Sequence, residues 1–202
     1  MPEVSNPSAG TRINLQKVSV LLVDDNQQSL DIMGQVLSGF GVGSMVKCES
    51  AEEALKLIER QSFDFIMTDA NMPVMDGYAF VQAVRRMSHL PSAHVPILLI
   101  TGHTRESQVA KARDCGANFV VAKPITPKIL LDRIFWVAKE DRLFVATDGY
   151  VGPDRRFKRQ GPPPGMAGRR RDDLPVELGA ASTPNLSQDQ IDGLLKPMKV
   201  NL

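Results

Sequence analysis

Between residue 18 and about residue 139, short apolar runs alternate with amphipathic segments. Strand-sized runs fall at 18–23, 42–48, 63–68, 96–101 and 118–122, the second weakened by Gly41 and Gly43. The segments between them carry apolar residues at helical spacing. Leu30, Met33 and Leu37 form one stripe, and Ser50-Ala51-Glu52-Glu53 is a capping box ahead of Ala54, Leu55 and Ile58. Thr126-Pro127 sets an N-cap before a proline at the first helical position, with Leu130, Ile134 and Val137 following on one face. Five strands alternating with five helices across short loops predict an α/β fold, a doubly wound five-stranded parallel sheet between two helical layers.

Composition sets the boundaries. Residues 1–16 are polar and aperiodic and read as a flexible N-terminal arm, leaving 17–140 for the α/β domain. Beyond it come Gly149, Gly152, Pro153, Gly161, Pro162, Pro163 and Pro164, too many breakers for a packed core. Residues 141–185 therefore read as a Gly/Pro/Arg-rich linker, 186–196 as a short amphipathic docking helix, and 197–202 as a tail. Of 202 residues, 43% are hydrophobic and 23% charged, with a net charge of +1, so nothing draws the chain as a whole toward nucleic acid or membrane. No apolar run approaches the ~18 residues of a membrane helix, and no secretory signal is visible, so a soluble cytoplasmic protein is expected. Cys48 and Cys115 lack metal or redox spacing and are expected as reduced thiols.

Candidate chemistry gathers at the ends of the predicted strands. Asp24-Asp25 follow the first run, and Asp69 follows the third, ahead of the loop Met72-Pro73-Val74-Met75-Asp76-Gly77. Ligands of an open α/β sheet sit at this edge. Carboxylates converging there repel one another unless a cation resolves them, and a set of oxygen donors suits Mg²⁺. Asp69 would then be the nucleophile toward a phosphoryl group. Ile100-Thr101-Gly102 offers a hydroxyl beside an unobstructed position, and Lys123-Pro124 offers a cation to pair with phosphate.

In their order along the chain, Asp24-Asp25, Asp69 with its loop, Thr101 and Lys123-Pro124 resemble the receiver domain of bacterial two-component response regulators, across about residues 17–140. The resemblance implies that family's 2-1-3-4-5 sheet order. It also implies phosphoryl transfer to Asp69 from a histidine kinase or histidine phosphotransferase. Asp24, Asp25, Asp69 and the main-chain carbonyl of Asn71 would hold Mg²⁺, while Lys123 and Thr101 would bind the phosphoryl oxygens. Such a domain is a self-catalysed phosphoacceptor with slow autodephosphorylation, not an enzyme of another substrate. One position departs from the pattern. Three residues before the lysine, receivers usually carry Tyr or Phe; here Val120 stands there and Phe119 beside it. Side chains alternate across a strand, so either Phe119 substitutes through a local bulge or the output runs by another route than the usual Thr–aromatic pair, and a plain core position is the preferred reading of Phe119. His103 reads as an exposed loop residue.

The tail holds two further signals. Ser187-Gln188-Asp189-Gln190 is a capping box, with Leu186 and Ile191 as a hydrophobic staple. Ile191, Leu194 and Leu195 then line one face, and two such turns are too short to be stable alone. The string from Leu186 to Leu195 resembles the N-terminal segment of the flagellar switch protein FliM and the C-terminal segment of the chemotaxis phosphatase CheZ. Both dock on a chemotaxis receiver, at the face made by its fourth helix, fifth strand and fifth helix. The resemblance implies docking on this chain's own receiver or another one, in a chemotaxis or motility pathway. The second signal is Arg155-x-x-x-Arg159 with Arg156, similar to the arginine spacing of PilZ-type cyclic-di-GMP binders, although the rest of that motif is absent. The alternative function is thus a receiver-gated effector whose arginines bind cyclic-di-GMP or nucleic acid; a solvated basic linker is the preferred reading.

Overall fold

The computed structural model describes residues 14–87, 90–138, 143–147, 149–154 and 187–195. Five parallel strands form its central sheet: β1 (Ser19–Val23), β2 (Ser44–Cys48), β3 (Phe65–Asp69), β4 (Ile97–Thr101) and β5 (Phe119–Ala122), in the order β2-β1-β3-β4-β5. β3 and β4 are buried along their whole length, which is why they read as unbroken apolar runs rather than as alternating patterns. β3 begins later than the sequence pattern suggested and ends on Asp69 itself, whose backbone is in register with Ile100.

Helices α1 (Gln27–Gly39), α2 (Ala51–Ile58), α3 (Gly77–Arg86), α4 (Glu106–Asp114) and α5 (Pro127–Ala138) cover the two faces. Their starts are chemically marked. Asn26 accepts from the amides of Gln28 and Ser29 at 2.9 and 3.2 Å, Ser50 from Glu53 at 3.2 Å, and Asp76 from Ala79 at 2.7 Å. Thr126 caps α5 through the amide of Ile129, at 3.3 Å.

The core has two halves. Leu30, Met33 and Leu37 of α1 and Leu130 and Ile134 of α5 pack on one side of the sheet with Phe119 and Val121. Residues of α2, α3 and α4 pack on the other with Leu21, Ile66, Leu99 and Val120. Alternation along β5 thus sends Phe119, whose ring centre lies 5.8 Å from that of the tilted Trp136 ring, and Val120 to opposite layers. Burial pushes both Cys48 and Cys115 thiols up to about 12, which leaves them as inert core groups.

One segment corrects the sequence reading. Within the stretch assigned to a linker, β6 (Phe144–Thr147) and β7 (Tyr150–Pro153) pair as an antiparallel hairpin. Asp148-Gly149 is the dipeptide that a two-residue hairpin loop favours. Counting Gly152 and Pro153 as breakers missed their use. A Cβ on residue 152 would lie 2.8 Å from the Gly116 Cα, so glycine permits the hairpin to seat closely. Beneath it Arg85 is 1% exposed and donates to the carbonyls of Gly116, Ala93 and Val95 and to Asn118 Oδ1, all at 2.7–3.0 Å. The Phe144 ring closes over its guanidinium at 5.2 Å.

Candidate functional site

Three strand ends bring the site together. Asp69 ends β3, Asp24 follows β1 and Lys123 follows β5. The Lys123 ammonium spans the two acids, 2.5 Å from Asp69 Oδ1 and 3.3 Å from Asp24 Oδ2. Each carboxylate is also clamped by its own loop: Asn26 N–H donates to Asp24 Oδ1 at 2.9 Å, and Asn71 N–H to Asp69 Oδ2 at 2.7 Å. Asp24 and Asp69 are buried, while Asp25 and Asn71 stand exposed at the rim. Thr101 is buried at the end of β4, its hydroxyl accepting from His103 N–H at 3.0 Å, and the His103 side chain is exposed.

Burial raises the Asp69 pKa, an effect opposed by Lys123 and the Asn71 amide. Burial alone would depress Lys123, but its hydrogen bond to Asp69 and the charges of Asp69 and Asp24 outweigh it and raise its pKa. A basic carboxylate under a fixed cation is suited to attack an electrophilic phosphorus. The loop beyond Asp69 is held tight by Gly77, where a Cβ would lie 2.0 Å from the Asp69 carbonyl oxygen. Val74, almost wholly exposed at φ 66°, forms the tip of that loop.

The donor set fits a hard cation. Asp24 and Asp69 already converge on one positive charge, and all the available donors are oxygens. With Asp25 turned to solvent, no group of three His, Cys, Asp or Glu residues is drawn together among the described residues. The third and fourth donors would be Asp25 at the rim and the Asn71 carbonyl.

A second constellation lies against β5. The helix α6 (Gln188–Leu195) packs on β5 and α4 of its own chain. Ser187 and Gln190 bond reciprocally across its first turn: the Ser187 amide donates to Gln190 Oε1 at 2.8 Å, and the Gln190 amide to Ser187 Oγ at 3.4 Å. Gln188 reads the free edge of the sheet, accepting from Ala122 N–H at 2.7 Å and donating to the Val120 carbonyl at 3.1 Å. Those are the backbone groups that an adjacent strand would otherwise pair. Ile191 is fully buried in the cluster that contains Val120, Val109 and Ala112. Both carboxylate oxygens of Asp192 accept from one nitrogen, Nη2, of Arg133 of α5, at 2.6 and 2.5 Å.

Sequence reasoning did not single out Gln188, Asp192, Arg133 or Tyr78. The spacing of Gln188, Ile191 and Asp192 at i, i+3 and i+4 was the available signal, since it puts all three on one helical face. Leu186 lies outside the described residues, as do the side chains of Leu194 and Leu195 and the arginines Arg155, Arg156 and Arg159. No helix among the described residues is long and apolar enough to cross a membrane.

Residues 20–135 match the family model described as the response regulator receiver domain. The chemotaxis protein CheY of Pseudomonas aeruginosa is 32% identical over 117 residues, which is 58% of this chain and 93% of that protein. The structure of the Vibrio cholerae chemotaxis protein CheY4 superimposes with a TM-score of 0.55 at 32% identity, covering 59% of this chain and 98% of that one. The receiver domain of the sensor histidine kinase PA1611 from Pseudomonas aeruginosa PAO1, solved with a magnesium ion coordinated in its active site cleft, matches with a TM-score of 0.55 at 25% identity, covering 60% and 98%.

Proposed function

Because the chain belongs to the response regulator receiver family, we propose that it accepts a phosphoryl group on Asp69 from a phosphohistidine of a kinase or phosphotransferase, and that this charging undocks its own C-terminal helix. The observation that carries the reading is the grip of α6 on Ala122 of β5, the residue next to Lys123, whose ammonium is bonded to Asp69. Attack by the Asp69 carboxylate forms the O–P bond as the P–N bond breaks and imidazole leaves. Asp24, Asp25, Asp69 and the Asn71 carbonyl would hold Mg²⁺, which neutralises the phosphoryl charge when bound. Lys123 follows the negative charge onto the phosphoryl oxygens, and the Thr101 hydroxyl turns to them. The chain is thus a self-catalysed acceptor rather than an enzyme of another substrate.

Undocking follows from where Lys123 sits. Gln188 holds Ala122, the residue before it, so any shift of Lys123 toward a phosphoryl group pulls on the strand end that the helix grips. An isolated two-turn helix does not persist in water, so α6 forms because it is docked. Released, the same segment is available to a second receiver or to a motility component, which the similarity to chemotaxis receivers favours.

Amide exchange across residues 187–195 of the full chain tests this. Protection is expected in the unmodified protein and is lost on adding beryllofluoride with Mg²⁺; equal exchange in both states removes the proposal. Asp192→Ala is expected to abolish protection without any phosphoryl mimic, because truncating one partner of a buried, hydrogen-bonded ion pair costs about 2–5 kcal/mol.

A further inference from the structure

We propose that Tyr78 is the positioning residue that carries the state of the acceptor site to α4, the role that Val120 has no polar group to perform. The link to the tail rests on the docking reading above; the link to α4 stands on its own contacts. Tyr78 is 4% exposed and follows Gly77, the residue pressed against the Asp69 backbone. Its hydroxyl donates to Gln108 Oε1 of α4 at 3.1 Å. One turn along α4, the Lys111 ammonium lies 4.1 Å from the centre of the Tyr78 ring and 3.2 Å from Asp76 Oδ2. The other oxygen of Asp76 caps α3. The start of α3 and the body of α4 are therefore stitched by Asp76, Tyr78, Gln108 and Lys111.

Burial pushes the Tyr78 hydroxyl up to about 12, so the neutral form, the one that donates to Gln108, is present. One side chain consequently bonds α4 and continues directly from the glycine that packs on the Asp69 carbonyl. On the same face of the sheet Val120 offers only methyl groups, buried beside Ile191. When the loop after Asp69 adjusts to a charged Asp69, Gly77 moves with it and the bond from the adjacent Tyr78 phenol to Gln108 readjusts. Movement of Gln108 displaces Val109 and Ala112, which share a cluster with Ile191. Tyr78 thus connects the acceptor to the helix that supports the tail.

The test uses the full chain with saturating Mg²⁺ and beryllofluoride and reads amide exchange separately in 106–114 and 187–195. In the wild type, α4 protection is expected to change about fivefold or more, the lower end of ordinary coupling between sites. Tyr78→Phe keeps the ring and its packing but removes the hydroxyl, and most of that change is expected to vanish while beryllofluoride still binds. Gln108→Leu removes the acceptor on α4 and is expected to reproduce the effect, with the double variant adding nothing. A full wild-type response in Tyr78→Phe overturns the proposal, as does a wild-type α4 that does not respond. If Tyr78→Phe fails to fold, Gln108→Leu, on the half-buried side of α4, decides by the same criterion. An α4 that responds in the wild type and not in the variants, with an unresponsive tail, supports Tyr78 and removes the docking reading.

Discussion

Asp69→Asn chains are expected to take up no phosphoryl group from acetyl phosphate or from a phosphohistidine protein, and at neutral pH to unfold at a higher temperature than the wild type. The first effect is complete, because the amide is not a nucleophile and no second carboxylate occupies its place: Asp24 is held by Asn26 and Lys123, and Asp25 points to solvent. The second follows from linkage. Burial raises the Asp69 pKa, so the folded protein holds that proton more tightly than the unfolded chain does. The carboxylate therefore lowers stability as pH rises from the ordinary carboxylate range through its folded pKa, and its full cost remains at neutral pH. Asparagine escapes that cost while Lys123 keeps Asp24 as a partner. The stability advantage should shrink as the solution is acidified. Phosphate-affinity gels and calorimetry between acid and neutral pH check both halves.

Arg85→Met is expected to destabilise the domain by about 3–5 kcal/mol, since several buried acceptors lose their donor at roughly 1–3 kcal/mol each. That is a large share of the typical 5–15 kcal/mol total. Burial lowers this guanidinium to about 10, so it remains charged at neutral pH, and its four protein acceptors compensate for the lost water. The carbonyls of Ala93, Val95 and Gly116 belong to the turn before β4 and the loop before β5, so Arg85 ties α3 to both strand entrances. Methionine fills the volume but bonds none of them. Urea titration measures the loss; a midpoint within experimental error of the wild type would show that water or the hairpin replaces the donor.

Most of the candidate site's layout was legible because each part sits where a strand pattern stops. Asp24, Asp69, Thr101 and Lys123 are strand-end residues, and parallel strands order those ends along one edge. Phe119 and Val120 were separable by alternation alone, and they do face opposite layers. The hairpin was not legible, since Gly152 and Pro153 look alike in a disordered linker and in a closely seated edge strand. Arg85 carried no signal either: an arginine in the last turn of a helix usually meets solvent or the helix carbonyls. Gln188 was hidden by its place in a capping box, where its contact with a strand far off in sequence leaves no local trace. Long-range polar pairing is set by topology, and local pattern does not encode it.

The central claim is that charging Asp69 governs where the C-terminal helix sits, and a distance between spin labels reads this directly. Labels at Asp189→Cys on α6 and Lys128→Cys on α5 occupy exposed positions, while the native Cys48 and Cys115 are buried. The unmodified chain is expected to give one short, narrow distance, and Mg²⁺ with beryllofluoride to replace it by a long, broad distribution. With Asp69→Asn the narrow distance should persist under the same conditions. A narrow distance unchanged by beryllofluoride, or a broad one before it is added, would contradict the account.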